Sequence, residues 1–552
     1  MLKTLHQLFR TFTGGERLAF FVAFAVCGTS LVAGFWLTFY TQTVLEPARG
    51  GEYAEGIVGQ PTAINPMLIG SSPADSDLVN LLFSDLVTLS QNIATSTTGK
   101  TWVVTLKNDM VWSDGKAITA DDVIFTIHTI QNPEANSPLW AEWQGVTAQR
   151  ISQREVRFTI KASYSYFIEN LRNLRIAPAH VFESIPPSNI RLSAYNFEPV
   201  TSGPYSFISY EKERSGFIAS YHLLANNAYP GPRALIEALT VRFFPSYTDA
   251  LMSFNRRGID GIGGFDPSSL TGFKVRHKIH EVALPEYYAL FLNQSAQPAL
   301  KDKNVRTALR LATDNDALIT TLFDGHATAV WGPILPQLTE YSPAAYAGVH
   351  ASPEEAVQIL EKQQWRIGSD GVRTRTVGKT TQRLDFELSV PDVEFAADAA
   401  NAIKSQWQKI GVRLTIKIIP AAEVQRDVIK PRNYQILLYG NVLRPTTDLF
   451  SFWHSSQRLP PGLNLAGYQN TAVDQAIETT RKTFDATTQI TALAKAQQLI
   501  QNDLPAIFLF SPNYLYSSID ELGGFPQKMI NSPHDRLTTI TSWFLETNRV
   551  FK

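Results

Sequence analysis

The chain is 552 residues long, 44% hydrophobic and 18% charged, with a formal net charge of −1. That length asks for roughly two or three cores rather than one, and the balance excludes both a disordered chain and the basic surface of a nucleic-acid binder. The single cysteine, Cys27, excludes a disulfide framework and a thiolate metal cluster and leaves the compartment open.

The first element is apolar. Leu18–Tyr40 is 23 residues without a charge, enough to cross a bilayer as a helix. The following "TQTVLEPARGG" lacks the small-residue cleavage site of a secretory signal peptide. Cys27 sits mid-run after Val26, not at the end of the run where a lipoprotein cysteine belongs. Lys3, Arg10 and Arg17 precede the run, so the positive-inside rule puts residues 1–17 in the cytoplasm and those after about 41 outside. The expectation is an uncleaved anchor: a single-pass cell-membrane protein whose large domain is extracytoplasmic. Residues 41–54 read as a linker.

Farther on, "STTGKT" (96–101) ends like a phosphate loop, but Ala94 stands where the first glycine belongs, so it reads as a polar hairpin loop. "VWSDGKAITADDVIFTI" (111–127) reads as a strand end, a turn at Ser113–Lys116 and a helix capped by Thr119, with Asp122 in capping-box position. Val123, Ile127 and Ile130 keep helical spacing until Pro133. His128 on that helix reads as a packed or surface side chain, and Trp140 and Trp143 either line a cleft or fill a core. Val156, Phe158 and Ile160 alternate like a half-buried strand.

A later stretch is plainer. Leu384, Phe386 and Leu388 alternate; Phe395, Ala399, Ile403 and Trp407 recur every fourth residue; Val412, Leu414, Ile416 and Ile418 alternate again. This is a βαβ unit, hence a right-handed crossover in a mixed α/β sheet. A further strand, Tyr434–Tyr439, ends in Gly440 and Asn441. Ligands of such sheets bind beyond the carboxyl ends of strands, which singles out Tyr439, Gly440 and Asn441. H-E-x-x-H, G-x-S-x-G and C-x-x-C are all missing, and the ten histidines are scattered. No metal centre, cofactor or catalytic residue is therefore expected, although a serine, histidine and carboxylate assembled only by folding stays open.

Five ordered segments carry a resemblance. They are "INPML" (64–68) with "SDLVNLLFSDLV" (76–87), "LKNDMVWSDGKAITADDVIFTI" (106–127), "TSGPYSF" (201–207), "FLNQSAQPALKDKNVRTALRLATDNDALI" (291–319) and "SFWHSSQRLPPGLNLAGYQNTAVDQAI" (451–477). From about 55 to 552 the chain resembles the family-5 solute-binding proteins, the extracytoplasmic peptide receptors of ABC importers. The third segment departs from the family's G-[TS]-G-P-Y only in Thr201.

The resemblance implies an α/β fold: a two-lobed, periplasmic-binding-protein-like architecture with mixed sheets, an extra domain inserted in the first lobe and, here, an N-terminal transmembrane helix. Lobe I would comprise 55–88, 199–284 and 505–552, the inserted domain 89–198 and lobe II 285–504, with crossings near 285–292 and 495–506. The implied function is a monomeric receptor, without catalysis or cofactor, that binds a peptide in the interlobe cleft and delivers it to an ABC permease. It implies ligand contacts at Ser71 and Ser72 after the "NP" element, at Tyr288, Trp453 and Asn464, and at Tyr439, Gly440 and Asn441. In dipeptide- and oligopeptide-binding relatives an aspartate just after the strand pairs with the ligand's α-ammonium; counted from Pro445, Asn441 stands there. An amide supplies no charge, so the ammonium falls to Asp448 or Glu286, or the ligand lacks a free amino terminus. Relatives on this fold also take nickel chelates, haem, glutathione or oligosaccharides; a cell-surface sensor or chaperone, and a surface hydrolase, remain the competing classes.

Overall fold

The computed structural model describes residues 11–70, 72–443, 446–525 and 527–552. Lys3, Arg10, Ser71 and Pro445, named above, lie outside the described residues. Gly14–Gln42 is one 29-residue helix with no buried side chain. By length and composition it is apolar enough to cross a membrane. Of the residues expected as a linker, 41–42 end that helix and Thr43–Ala48 form a strand, paired antiparallel with Glu546–Phe551 over all six positions. Thr43, Val44 and Leu45 favour extended backbone, and a partner strand was at hand.

One mixed sheet runs through the rest. Its strands lie in the order Arg413–Ile419, Asp385–Pro391, Ile436–Val442, Glu286–Leu292, Ala506–Ile519, Gly261–Gly263, Glu52–Val58, Ala238–Phe244, Ile218–Ala225 and Tyr205–Lys212. The βαβ unit is as the periodicity predicts: Asp385–Pro391 and Arg413–Ile419 are parallel neighbours joined by the helix Ala396–Gln408. The strand expected at 434–439 is shifted, to Ile436–Val442, so Gly440 and Asn441 lie inside it.

The two halves of the sheet meet on one strand. Ala506–Ile519 is 14 residues long, about 45 Å at 3.3 Å per residue. Ala506–Phe510 pairs with Glu286–Leu292, and 513–519 pairs with His277–Ala283. Between those partners the chain passes through Leu284 and Pro285, where the Ser511 hydroxyl donates to the Leu284 carbonyl at 3.2 Å. The two pairings therefore meet at 284–285 and 511–513. The expected segment 495–506 is mostly the end of the helix Ala486–Asp503.

The cores follow this division. One cluster joins Tyr53, Leu82, Trp102, Trp143 and Phe158, so the four-stranded antiparallel sheet of Ser90–Thr95, Thr101–Leu106, Glu155–Thr159 and Thr147–Arg150 shares its interior with strand Glu52–Val58. Trp143 thus fills a core, whereas Trp140 is part-exposed. On the other side, Leu290, Leu388, Ile403 and Trp407 pack on one face of the sheet, and Tyr287, Leu437, Trp453 and Phe508 on the opposite face. Thr119 and Asp122 form the expected capping box at the start of Ala120–Gln131, and His128 is exposed. The preceding turn is held to the Thr201 backbone by Ser113, through its N–H and its hydroxyl, both at 2.9 Å. "STTGKT" closes a hairpin, with the Ser96 N–H on the Thr101 carbonyl. The last helical segment is fixed by Arg536, whose guanidinium donates at 2.7 Å to both buried carboxylates, Glu55 and Asp77.

Candidate binding cleft

Two adjacent antiparallel strands, Glu286–Leu292 and Ile436–Val442, form a wall with two different faces. Their register sets Tyr287 opposite Asn441 and Tyr288 opposite Gly440. Because side chains alternate, the two pairs point to opposite sides.

On one side Glu286, Tyr288, Leu438, Gly440 and Val442 line a pocket of about 220 Å³, with Pro391 and Val393 across from them. Gly440 is required there: a Cβ would come within 2.9 Å of the Tyr288 ring. That ring stands edge-on to Phe395, 4.7 Å between centroids at 87°. Among the described residues the Glu286 carboxyl has no side-chain partner, and burial pushes its pKa above the ordinary glutamate range. The backbone is open as well. Asp385–Pro391 pairs with Ile436–Val442 only at Ile436 and Leu437. From Leu438 onward, the edge turned away from Glu286–Leu292 has no strand partner among the described residues, and it faces the pocket.

On the other side nothing is open. The buried Tyr287 hydroxyl accepts from Asn441 Nδ2 at 2.9 Å and from Trp453 Nε1 at 3.3 Å. Asn441 is 4% exposed and Trp453 fully buried. Of the residues predicted to contact ligand, Tyr288 and Gly440 thus line the pocket, and Tyr439 borders it although its side chain packs on the Tyr287 face. Asn441 and Trp453 brace the wall from behind, because the strand continues through Val442 and alternation turns Asn441 inward. Asn464 is buried too, tying a loop together through the Tyr468 N–H and the His454 and Tyr468 carbonyls. Ser72 caps the helix Pro73–Leu82 by accepting from the Asp75 N–H at 3.3 Å. Asp448, the other candidate for a ligand ammonium, already holds Arg481 and the Tyr164 hydroxyl, each at 3.2 Å.

A larger cavity of about 540 Å³ adjoins this pocket at Phe395. Asp266 and Ser268, from the segment next to strand Gly261–Gly263, face Glu394, Asp398 and Asn401 at the start of the βαβ helix. Glu394 and Asp266 are neighbours in this cavity, and the Asp266 carboxyl raises the Glu394 pKa. The sequence reading missed these residues. The rule that singled out 439–441 also points to 392–395, which follow the carboxyl end of the first βαβ strand. Among the described residues no cluster of histidine, cysteine and carboxylate has the makings of a metal site.

The match to the family described as "Bacterial extracellular solute-binding proteins, family 5 Middle" covers residues 84–458. The oligopeptide-binding protein AppA of Bacillus subtilis is 24% identical over 521 residues, which is 91% of this chain and 92% of that one. Its structure with a nonapeptide superposes with a TM-score of 0.65 at 22% identity, covering 91% of this chain and 100% of the other. NikZ of Campylobacter jejuni with Ni(L-His) superposes with a TM-score of 0.66 at 22% identity, over 89% and 99% of the two chains. With more than half its length matched by the family model and a two-lobed fold shared with these neighbours, the chain belongs to the family-5 bacterial extracellular solute-binding proteins.

Proposed function

We propose that this protein is a membrane-tethered receptor that binds a peptide in extended form between its lobes and passes it to the permease of an ABC importer, without catalysis of its own. The observation that carries this reading is the backbone edge of Leu438–Val442, without a strand partner among the described residues, beside a pocket. A peptide laid along that edge gains main-chain hydrogen bonds as an added strand, while the pocket admits one of its side chains or its end. Tyr288, Tyr439 and Gly440 are the proposed contacts. The proposed lobes are the sheet halves meeting at 284–285 and 511–513, with 89–198 as the inserted domain, and closure occurs about those crossings.

The ribbon of Thr43–Ala48 with Glu546–Phe551 supports retention of the N-terminal helix as an anchor. Cleavage within 41–48 would leave the last strand unpaired. Tethering keeps a monomeric receptor near its permease, so weak docking is strengthened by effective concentration.

NikZ, a chelate binder on the same fold, makes a metal chelate the second reading. Native mass spectrometry of the purified protein separates the two: the peptide reading predicts retained masses that fragment into residue ladders, and a nickel isotope pattern overturns it. Adjacent permease and ATPase genes would separate a transporter subunit from a sensor or chaperone. Protease added to intact cells should remove everything after about residue 41 and leave no soluble form beginning near 45.

A further inference from the structure

The ribbon that follows the apolar helix is an unusual element. It is two strands wide with no further sheet neighbour among the described residues, and such ribbons are marginal in water alone. Leu45 is 59% exposed and Phe551 74%. Yet the ribbon is tied to the helix end. The Lys552 N–H donates to the Gln42 carbonyl at 2.9 Å, and Arg549 donates to the Thr43 hydroxyl at 3.1 Å. The Arg549 guanidinium lies over the Tyr40 ring at 4.1 Å, and Phe551 meets Phe39 edge-on at 6.2 Å.

The residues are sorted along its length. The end beside the helix holds Thr43, Val44, Leu45, Arg549, Val550, Phe551 and then Lys552, with no acid; the far end holds both acids, Glu46 and Glu546. Position explains the sorting. Trp36 and Tyr40, stacked at 5.4 Å, are the aromatic residues that belong at the outer membrane interface. Thr43 follows Tyr40 by three residues, about 5 Å along a helix. Register puts Phe551 opposite Thr43, so the last strand returns to that same depth.

We propose that this ribbon is an interfacial foot. Its helix-proximal end lies in the outer headgroup layer, with Leu45 and Phe551 at the acyl boundary and Arg549 and Lys552 on lipid phosphates. Lipid supplies the cover that a two-stranded ribbon lacks, and the foot fixes the height of the first lobe above the bilayer. The proposal rests on the anchor reading.

The test places a nitroxide at Val550→Cys or at Thr547→Cys, in a Cys27→Ser background, with the full chain in nanodiscs of phosphatidylcholine and phosphatidylglycerol. The Val550 label should be several-fold less accessible to an aqueous paramagnetic chelate than the Thr547 label, and more accessible to oxygen. Adding Arg549→Ser and Phe551→Ser should abolish the difference. Equal chelate accessibility at both sites overturns the foot while leaving the anchor intact; this includes any case where only a permease covers the ribbon, since the discs contain none. Protein that elutes free of the discs refutes the anchor and the foot with it.

Discussion

The two faces of the strand pair Glu286–Leu292 and Ile436–Val442 differ in every physical respect although their residues alternate one by one. The inner face is buried and hydrogen-bonded: Asn441 and Trp453 both donate to the Tyr287 hydroxyl. The outer face has no side chain at Gly440 and, among the described residues, no side-chain partner for the Glu286 carboxyl and no strand partner for the backbone edge from Leu438. One side fixes the position of the wall, and the other leaves chemistry available to a ligand. A residue's number in the strand, more than its type, decides which task it has.

The largest expected effect comes from treating an inner residue as an outer one. Asn441→Asp places a carboxyl where the side chain is 4% exposed, so ionisation there costs roughly 3 kcal/mol, and thermal unfolding at neutral pH should show that loss. The loss should shrink as pH falls and the new carboxyl takes a proton. Peptides with free and acetylated amino termini should respond alike; a selective gain for the free terminus would put Asn441 on the ligand side.

Tyr287→Phe sharpens the same contrast. It removes the shared acceptor and leaves two buried donors unpaired, at about 1–3 kcal/mol in urea unfolding. Ligand affinity should stay near the native value, because nothing on the pocket side changes.

Outer-face changes should do the opposite. Burial raises the folded pKa of Glu286, so its ionised form opposes folding, and any stability linked to the neutral form is lost as pH rises through the folded value. Glu286→Gln should therefore gain stability over the native protein as pH climbs through and above the ordinary glutamate range, while its ligand affinity changes. A variant that melts like the native protein at every pH would mean that Glu286 is solvated.

The smallest effect concerns the Asp266–Glu394 contact. Both carboxyls line the cavity between the sheet halves, and the neighbouring Asp266 raises the Glu394 pKa. Approach of the two segments should weaken as pH rises through that raised value, and Glu394→Gln should flatten the dependence, as read by solution scattering.

Much of this was legible in the sequence, for local reasons. The capping box at Thr119 and the βαβ unit at 385–419 depend on spacing that any window of the chain displays. Tyr439 and Gly440, singled out by the strand-end rule, and Tyr288, taken from the family resemblance, border the pocket. Asn441 is turned inward because the strand runs on to Val442, and Trp453, at the end of the helix Phe450–Trp453, packs behind it; where a strand stops is not visible in a local window. The pairing of 43–48 with 546–551 joins segments some 500 residues apart, and periodicity carries no trace of such a partner.

The most direct test of peptide capture between two lobes is a distance. Ser268→Cys and Ser405→Cys, in the Cys27→Ser background, place two labels on opposite sides of the 540 Å³ cavity. Peptide stripped from the purified protein and added back should shorten the distance between the labels, and nickel–histidine should leave it unchanged. A distance indifferent to peptide, or one shortened by the chelate alone, would contradict the account.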